Sequence, residues 1–208
     1  MTRPRAGLRF LEEMRGYVTF GEPSFERGYA RGRAAGNALR LRLAIDIDDV
    51  GALAADPGRA AAADGHVHCE DLGGLLAVTR GTFNLFVHGD DGGARMLYRL
   101  HFADGTGHPL TFSGFKRLRR GPPTLLWAET TTLYSRVVQG HVDAEGDRDA
   151  ELVASGVLRV EPRDFLRQLT TFRSDAATTR DQLATVARFG GLFLAQLGRV
   201  YGPRRALW

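Results

Sequence analysis

The chain has 208 residues, 43% of them hydrophobic and 25% charged, which suits one well-buried folding unit and is too apolar for a disordered chain. Its 28 basic and 24 acidic residues leave a formal charge of +4, carried almost entirely by arginine, and no nucleic-acid reading module accompanies that surplus. Cys69 is the only cysteine, which excludes an internal disulfide framework and a cysteine-rich zinc site.

Met1 to Gly7 carries Arg3 and Arg5, and no apolar run follows before Glu12 and Glu13. Neither a signal peptide nor a membrane span is therefore expected, and a cytoplasmic location is. Between Phe25 and Gly36, glycines 28, 32 and 36 recur every fourth position, which fits either a smooth-faced helix or a flexible approach to the next strand. Alternation begins at Leu39, with Leu41, Leu43, Ile45 and Ile47 on one face and Arg40, Arg42, Asp46 and Asp48 on the other, the pattern of a half-buried strand. Asp48 to Ala55 reads as a short capped helix stopped by Asp56 and Pro57.

Further alternating runs follow: Val67 and Cys69 opposite His66 and His68; Phe83, Leu85 and Val87 opposite Asn84 and His88; Met96, Tyr98, Leu100 and Phe102 opposite Arg95, Arg99 and His101. Turn clusters at Gly89 to Gly93 and Asp104 to Gly107 are short enough to join antiparallel neighbours. The meander continues through Leu110 to Leu118, Leu125 to Val138 and Leu152 to Val160. Such a succession with few intervening helices predicts a mainly β fold: a closed antiparallel barrel of lipocalin or allene-oxide-cyclase type, or a two-layer sandwich, over residues 8–160.

The remainder, 161–208, reads as a helical extension packed on the barrel within the same domain. Pro162 to Leu169 is a short helix, and Thr179 with Gln182 three residues on is a capping-box start. From there Leu183, Val186, Phe189, Phe193, Leu197, Val200 and Tyr201 recur at helical steps, weakened in the middle by Gly190 and Gly191 and ending near Gly202 and Pro203. This amphipathic helix either closes one end of the barrel or docks a partner.

No Gly-x-Gly-x-x-Gly, Gly-Lys-Ser/Thr or Gly-x-Ser-x-Gly is present, so no cofactor is expected. His66, His68 and Glu70 would share one strand face, a spacing that permits a metal, but no second strand offers a matching histidine and no metal site is assigned. Four residues are candidate catalytic groups: Glu129, Lys116, His101 and Tyr134. If the run Trp127 to Tyr134 is a strand, Glu129 shares a face with Trp127, Thr131 and Leu133, and a desolvated carboxylate there is suited to moving a proton; the alternative is a surface Glu paired with a neighbouring Arg. Lys116 is the chain's lone lysine, read either as a buried amine serving as donor or nucleophile, or as a solvated member of the cluster with Arg117, Arg119 and Arg120. His101 and Tyr134 are candidate donors to a carbonyl, and Tyr98, Arg99, Phe83, Trp127 and Thr131 are candidate ligand contacts.

Arg9-Phe-Leu-Glu-Glu-Met-Arg-Gly16, Thr82-Phe-Asn-Leu-Phe-Val87, Tyr98-Arg-Leu100, Ser113-Gly-Phe-Lys116, Leu126-Trp127 with Thr130-Thr-Thr-Leu133, and Asp164-Phe-Leu-Arg-Gln-Leu-Thr-Thr-Phe172 together resemble an actinobacterial domain found attached to glucose-methanol-choline, cholesterol-oxidase-like flavoproteins. The resemblance spans roughly residues 9 to 201 and brings no catalytic residues. It implies a lipid-like or polyketide-like ligand, and a separate flavoprotein as a partner of this stand-alone chain. The function expected is a binding barrel for an apolar small molecule, as a monomer or homodimer, with cofactor-independent cyclase or isomerase chemistry of natural-product biosynthesis. An accessory role beside a flavoprotein and a small-molecule carrier are the alternatives.

Overall fold

Alternation that begins with Leu8, Phe10, Glu12 and Met14 turns one row of side chains inward along the first strand, β1 (Leu8–Phe20), and the same rule repeats round the molecule. The computed structural model describes residues 6–89 and 93–201. In chain order β1 is followed by α1 (Phe25–Ala35), β2 (Ala38–Ile47), α2 (Val50–Ala55), β3 (Ala60–Cys69), β4 (Gly74–Ala77), β5 (Arg80–His88), β6 (Ala94–Ala103) and β7 (Pro109–Leu118). Then come α3 (Leu126–Thr131), β8 (Thr132–Gln139), β9 (Leu152–Arg159), α4 (Pro162–Leu169), the two-residue β10 (Arg173–Ser174) and α5 (Thr179–Tyr201).

Eight antiparallel strands close a barrel in the order β1-β2-β3-β5-β6-β7-β8-β9, with the second half of β1 pairing back onto β9 from Arg15↔Arg159 to Phe20↔Ala154. Closure removes the open edges that a sandwich of these strands would leave. β4 adds to β3 and β10 to β1 outside that ring. The turn cluster at residues 89–93 lies partly outside the described residues, as do Arg3, Arg5, Gly202 and Pro203.

The glycine-spaced segment is a helix. α1 presses its smooth face on β1 and β9, where a Cβ at Gly28 would stand 2.3 Å from the Ser155 carbonyl oxygen and one at Gly32 2.2 Å from that of Val18. α2 is capped by Asp49, whose carboxylate accepts from the Ala52 amide at 2.6 Å. α5 is capped one residue earlier than its sequence suggests. Thr178 Oγ1 accepts from the Asp181 amide at 3.1 Å and donates to the Asp181 carboxylate at 2.7 Å, and the helix runs unbroken through Gly190 and Gly191.

Two departures from the alternation reshape one end of the barrel. Leu125 to Thr131 is not strand: Pro123 starts a tight turn that leads into α3, and Thr130 and Thr131 donate their hydroxyls back to the Leu126 and Trp127 carbonyls at 2.7 and 2.6 Å. That local bonding answers the β preference of a threonine run. In β5 a bulge between Asn84 and Val87 puts Phe86 at φ 51° and turns it, with Leu85, into the interior. Phe86 then packs edge-on against Phe193 of α5, ring centroids 4.9 Å apart.

Candidate functional site

The two ends of the barrel are closed differently, and the site lies at the end covered by helices. α5 lies over this end, fixed by Phe189 against Phe10, by Phe193 against Phe86, by Gln196 Oε1 2.8 Å from His88 Nε2, and by Tyr201 donating to Glu129 at 2.5 Å. Beneath it, with α3 and α4 as side walls, is a cavity of about 550 Å³. Its walls are overwhelmingly apolar: Phe10, Phe83, Leu85, Met96, Phe165, Phe172 and Phe189 are representative. Volume and lining fall in the range of small-molecule sites.

Three polar side chains meet in this apolar space. Glu12 projects inward from β1, and β6 and β7, on the opposite wall, send Tyr98 and Lys116 to meet it. Lys116 Nζ donates to Glu12 Oε1 at 2.6 Å, the Tyr98 hydroxyl donates to Glu12 Oε2 at 2.8 Å, and Nζ stands 5.3 Å from the Tyr98 ring centroid. Lys116 is 2% exposed and Glu12 5%. Burial, reinforced by the charge of Glu12 and the bond to it, holds the Tyr98 phenol well above the ordinary tyrosine range. Two of the three ammonium donors of Lys116 have no hydrogen-bond partner among the described residues.

A buried ion pair of this kind contributes little net stability, because taking both charges out of water offsets their attraction, and apolar residues of similar volume commonly do as well. The pair places two opposite charges and a phenol at one point of a hollow otherwise lined by aromatic and aliphatic side chains.

Five of the candidate residues come together here. Phe83, Tyr98, Lys116, Trp127 and Thr131 all line the cavity. The other four do not. Glu129, on α3 instead of a strand, does not share a face with Trp127 and Thr131; it turns away to accept from the Arg119 amide at 2.7 Å, from Arg119 Nε at 3.0 Å and from Tyr201. It anchors helices and does not face the cavity. Tyr134 is on the outer face of β8, stacked on Phe115 and edge-on to Phe25 of α1. His101 and Arg99 are on the outer face of β6. His101 stacks on His141 at 4.8 Å, and Arg99 grips Asp147 through two bonds of 2.7 and 2.6 Å, together tying down the loop before β9.

Glu12 is the residue that sequence reasoning missed. Its signal was a carboxylate at an inward step of the row Leu8, Phe10, Glu12, Met14. No protein-family model, curated protein or solved structure matches this chain. The geometry of the cavity therefore carries the functional argument. His68 and Glu70 form an exposed pair at 3.1 Å on the outer surface, and among the described residues no group of His, Cys, Asp and Glu is arranged to hold a metal. Among the same residues, no helix is long and apolar enough to cross a membrane.

Proposed function

We propose that this protein binds an apolar small molecule in the helix-covered end of its barrel and holds an uncharged oxygen of that molecule, a carbonyl above all, on Lys116. The observation that carries this reading is the buried Glu12–Lys116–Tyr98 network in an otherwise greasy cavity. Glu12 and Lys116 balance each other, so a ligand carboxylate would bring a second, unmatched negative charge into a desolvated space. A plain hydrocarbon would leave the spare ammonium donors unpaired. A ketone, aldehyde or ester satisfies both conditions.

The same groups suit cofactor-independent isomerisation or ring closure. An ammonium donor on a carbonyl oxygen stabilises the negative charge that develops when a proton leaves the adjacent carbon. Glu12 is the one carboxylate lining the cavity among the described residues and is the group to accept that proton. Its return to a different carbon shifts a double bond; attack of the enolate carbon on a second carbonyl carbon of the same molecule breaks the π bond of that carbonyl and closes a ring, and the new alkoxide takes the proton back from Glu12. Walls that fold a flexible chain into a reactive shape would lower the barrier further.

Native mass spectrometry of the purified protein should reveal a retained lipophilic molecule. Displacement of the neutral probe N-phenyl-1-naphthylamine should be stronger for a long-chain ketone than for the matching alkane or fatty acid, and Lys116→Met should erase that order. Conversion of a β,γ-unsaturated ketone to its conjugated isomer, read by ultraviolet absorbance, separates an enzyme from a carrier. Absence of any retained molecule, together with no probe uptake, would sink the binding reading.

A further inference from the structure

The rim of the cavity combines greasy exposure with positive charge. Trp127 and Leu194 line the opening yet are 44% and 69% exposed; Leu166, beside the lining residue Phe165, is 66% exposed, and Leu125 precedes the lining residue Leu126. Large apolar side chains grouped around one opening differ from the singly scattered kind that any surface carries.

Charge is concentrated in the same elements. The segments that build the rim, 117–131 and 161–201, contain nine arginines and five carboxylates, an excess equal to the formal +4 of the whole chain, so the rest of the sequence is balanced. Three of those carboxylates are already in ion pairs, Glu129 with Arg119, and Asp164 and Glu161 both with Arg15. Arg120, Arg163 and Arg167 are exposed and have no ion-pair partner among the described residues. Beside the opening runs a groove in which Arg9, Arg42, Arg167 and Arg173 outnumber the carboxylates Glu12, Glu13 and Asp164, and which meets the apolar cavity at Phe10, Glu12 and Gln168.

We propose that this end of the barrel docks on the surface of an anionic lipid bilayer and loads its cavity from there. The proposal rests on the cavity binding an apolar molecule, and such a molecule resides in lipid in preference to water. Tryptophan and leucine at the rim would enter the interfacial layer, while the arginines meet anionic headgroups. Either signal alone gives weak, reversible attachment; the two together give a usable one. An acidic protein would satisfy the arginines but would leave unexplained why Trp127 and Leu194 stand exposed at the entrance itself.

The test is co-sedimentation of the full chain with vesicles of phosphatidylcholine alone and with vesicles of equal parts phosphatidylcholine and phosphatidylserine. Binding is expected to the mixed vesicles only, falling as salt is raised. The variant Arg120→Glu/Arg163→Glu/Leu166→Ser changes exposed positions outside the cavity. It should lose more than about tenfold in vesicle affinity, while taking up N-phenyl-1-naphthylamine in vesicle-free buffer as the parent does. Equal binding to both vesicle types, no binding to either, or a preference for soluble polyglutamate over the mixed vesicles would overturn the proposal. Vesicle binding that survives in a protein unable to take up the probe would uphold docking and strike the cavity reading alone.

Discussion

At the end of the barrel away from α3, α4 and α5, Met14, Leu39, Leu41, Leu100, Phe102 and Phe112 interdigitate with essentially no exposure. Leu72 plugs that end, and the turns carrying Gly73 and Gly105 lock together, the Gly105 amide donating to the Leu72 carbonyl at 2.7 Å. At the other end the same strands send in Phe10, Phe83, Met96 and Val160, yet these surround a space of about 550 Å³. Apart from the bulges in β5 and between β8 and β9, the strands keep one alternation; what differs between the ends is the closure. Tight turns close one end over side chains that fill the middle, whereas helices spanning the other opening hold their aromatic side chains at its rim. Glu12 and Lys116 sit at the level where filled gives way to hollow. An eight-stranded barrel has room for either outcome.

The most direct way to break this comparison is to remove one large ring from each end. Phe112→Ala should cost about 3–5 kcal/mol, because a filled end cannot collapse around the void. Phe193→Ala, where the ring already borders open space, should cost no more than about 2 kcal/mol, since fewer contacts are lost. Urea melts of the two variants supply the measurement. Equal losses would mean that the helix-covered end is packed as tightly as its opposite.

At the boundary between the ends, Glu12→Leu leaves the Lys116 ammonium buried without its counter-charge and should destabilise the fold by about 3 kcal/mol. Adding Lys116→Met to that variant should bring stability back to within about 1 kcal/mol of the parent, because the double change replaces a desolvated pair with apolar volume. The double variant should still take up a neutral hydrophobic probe but no longer prefer a ketone to an alkane. If the double variant is as unstable as the single one, the pair is a structural strut and its functional reading weakens.

This division between ends also explains which features could be read from sequence. β2 and β6 show unbroken alternation, and their inward rows Leu39 to Ile47 and Met96 to Phe102 stand where the pattern puts them. β1 escaped notice because the adjacent charges of Glu12 and Glu13 look like the start of a polar segment. Only the fold separates them, one inward to Lys116 and the other outward to Arg15. The network joins residues 86 and 104 positions apart in the chain, so no local motif announces it. Lys116 itself was ambiguous because it borders Arg117, Arg119 and Arg120; its inward step on β7 is what separates it from them. Glu129 misled for the opposite reason, since three threonines suggested a strand while the prolines before them favoured a helix.

The smallest expected effects are pH limbs, and each belongs to one end. At the hollow end, the raised Tyr98 phenol favours the fold in its neutral form, so its contribution is fully present below the ordinary tyrosine value of 10 and is lost as pH climbs above it. Tyr98→Phe should weaken the fold by about 1 kcal/mol at neutral pH and flatten the alkaline fall seen in urea melts. At the filled end, bonds from the Thr106 hydroxyl and the His108 amide hold Asp104 at about 2, below its ordinary 3.8. Its contribution is therefore present above 3.8 and disappears as pH falls from there toward 2. Asp104→Asn should flatten part of the acid limb and leave both the alkaline limb and probe uptake untouched. A variant at either site that moved both limbs would show that the two ends are coupled through the barrel wall.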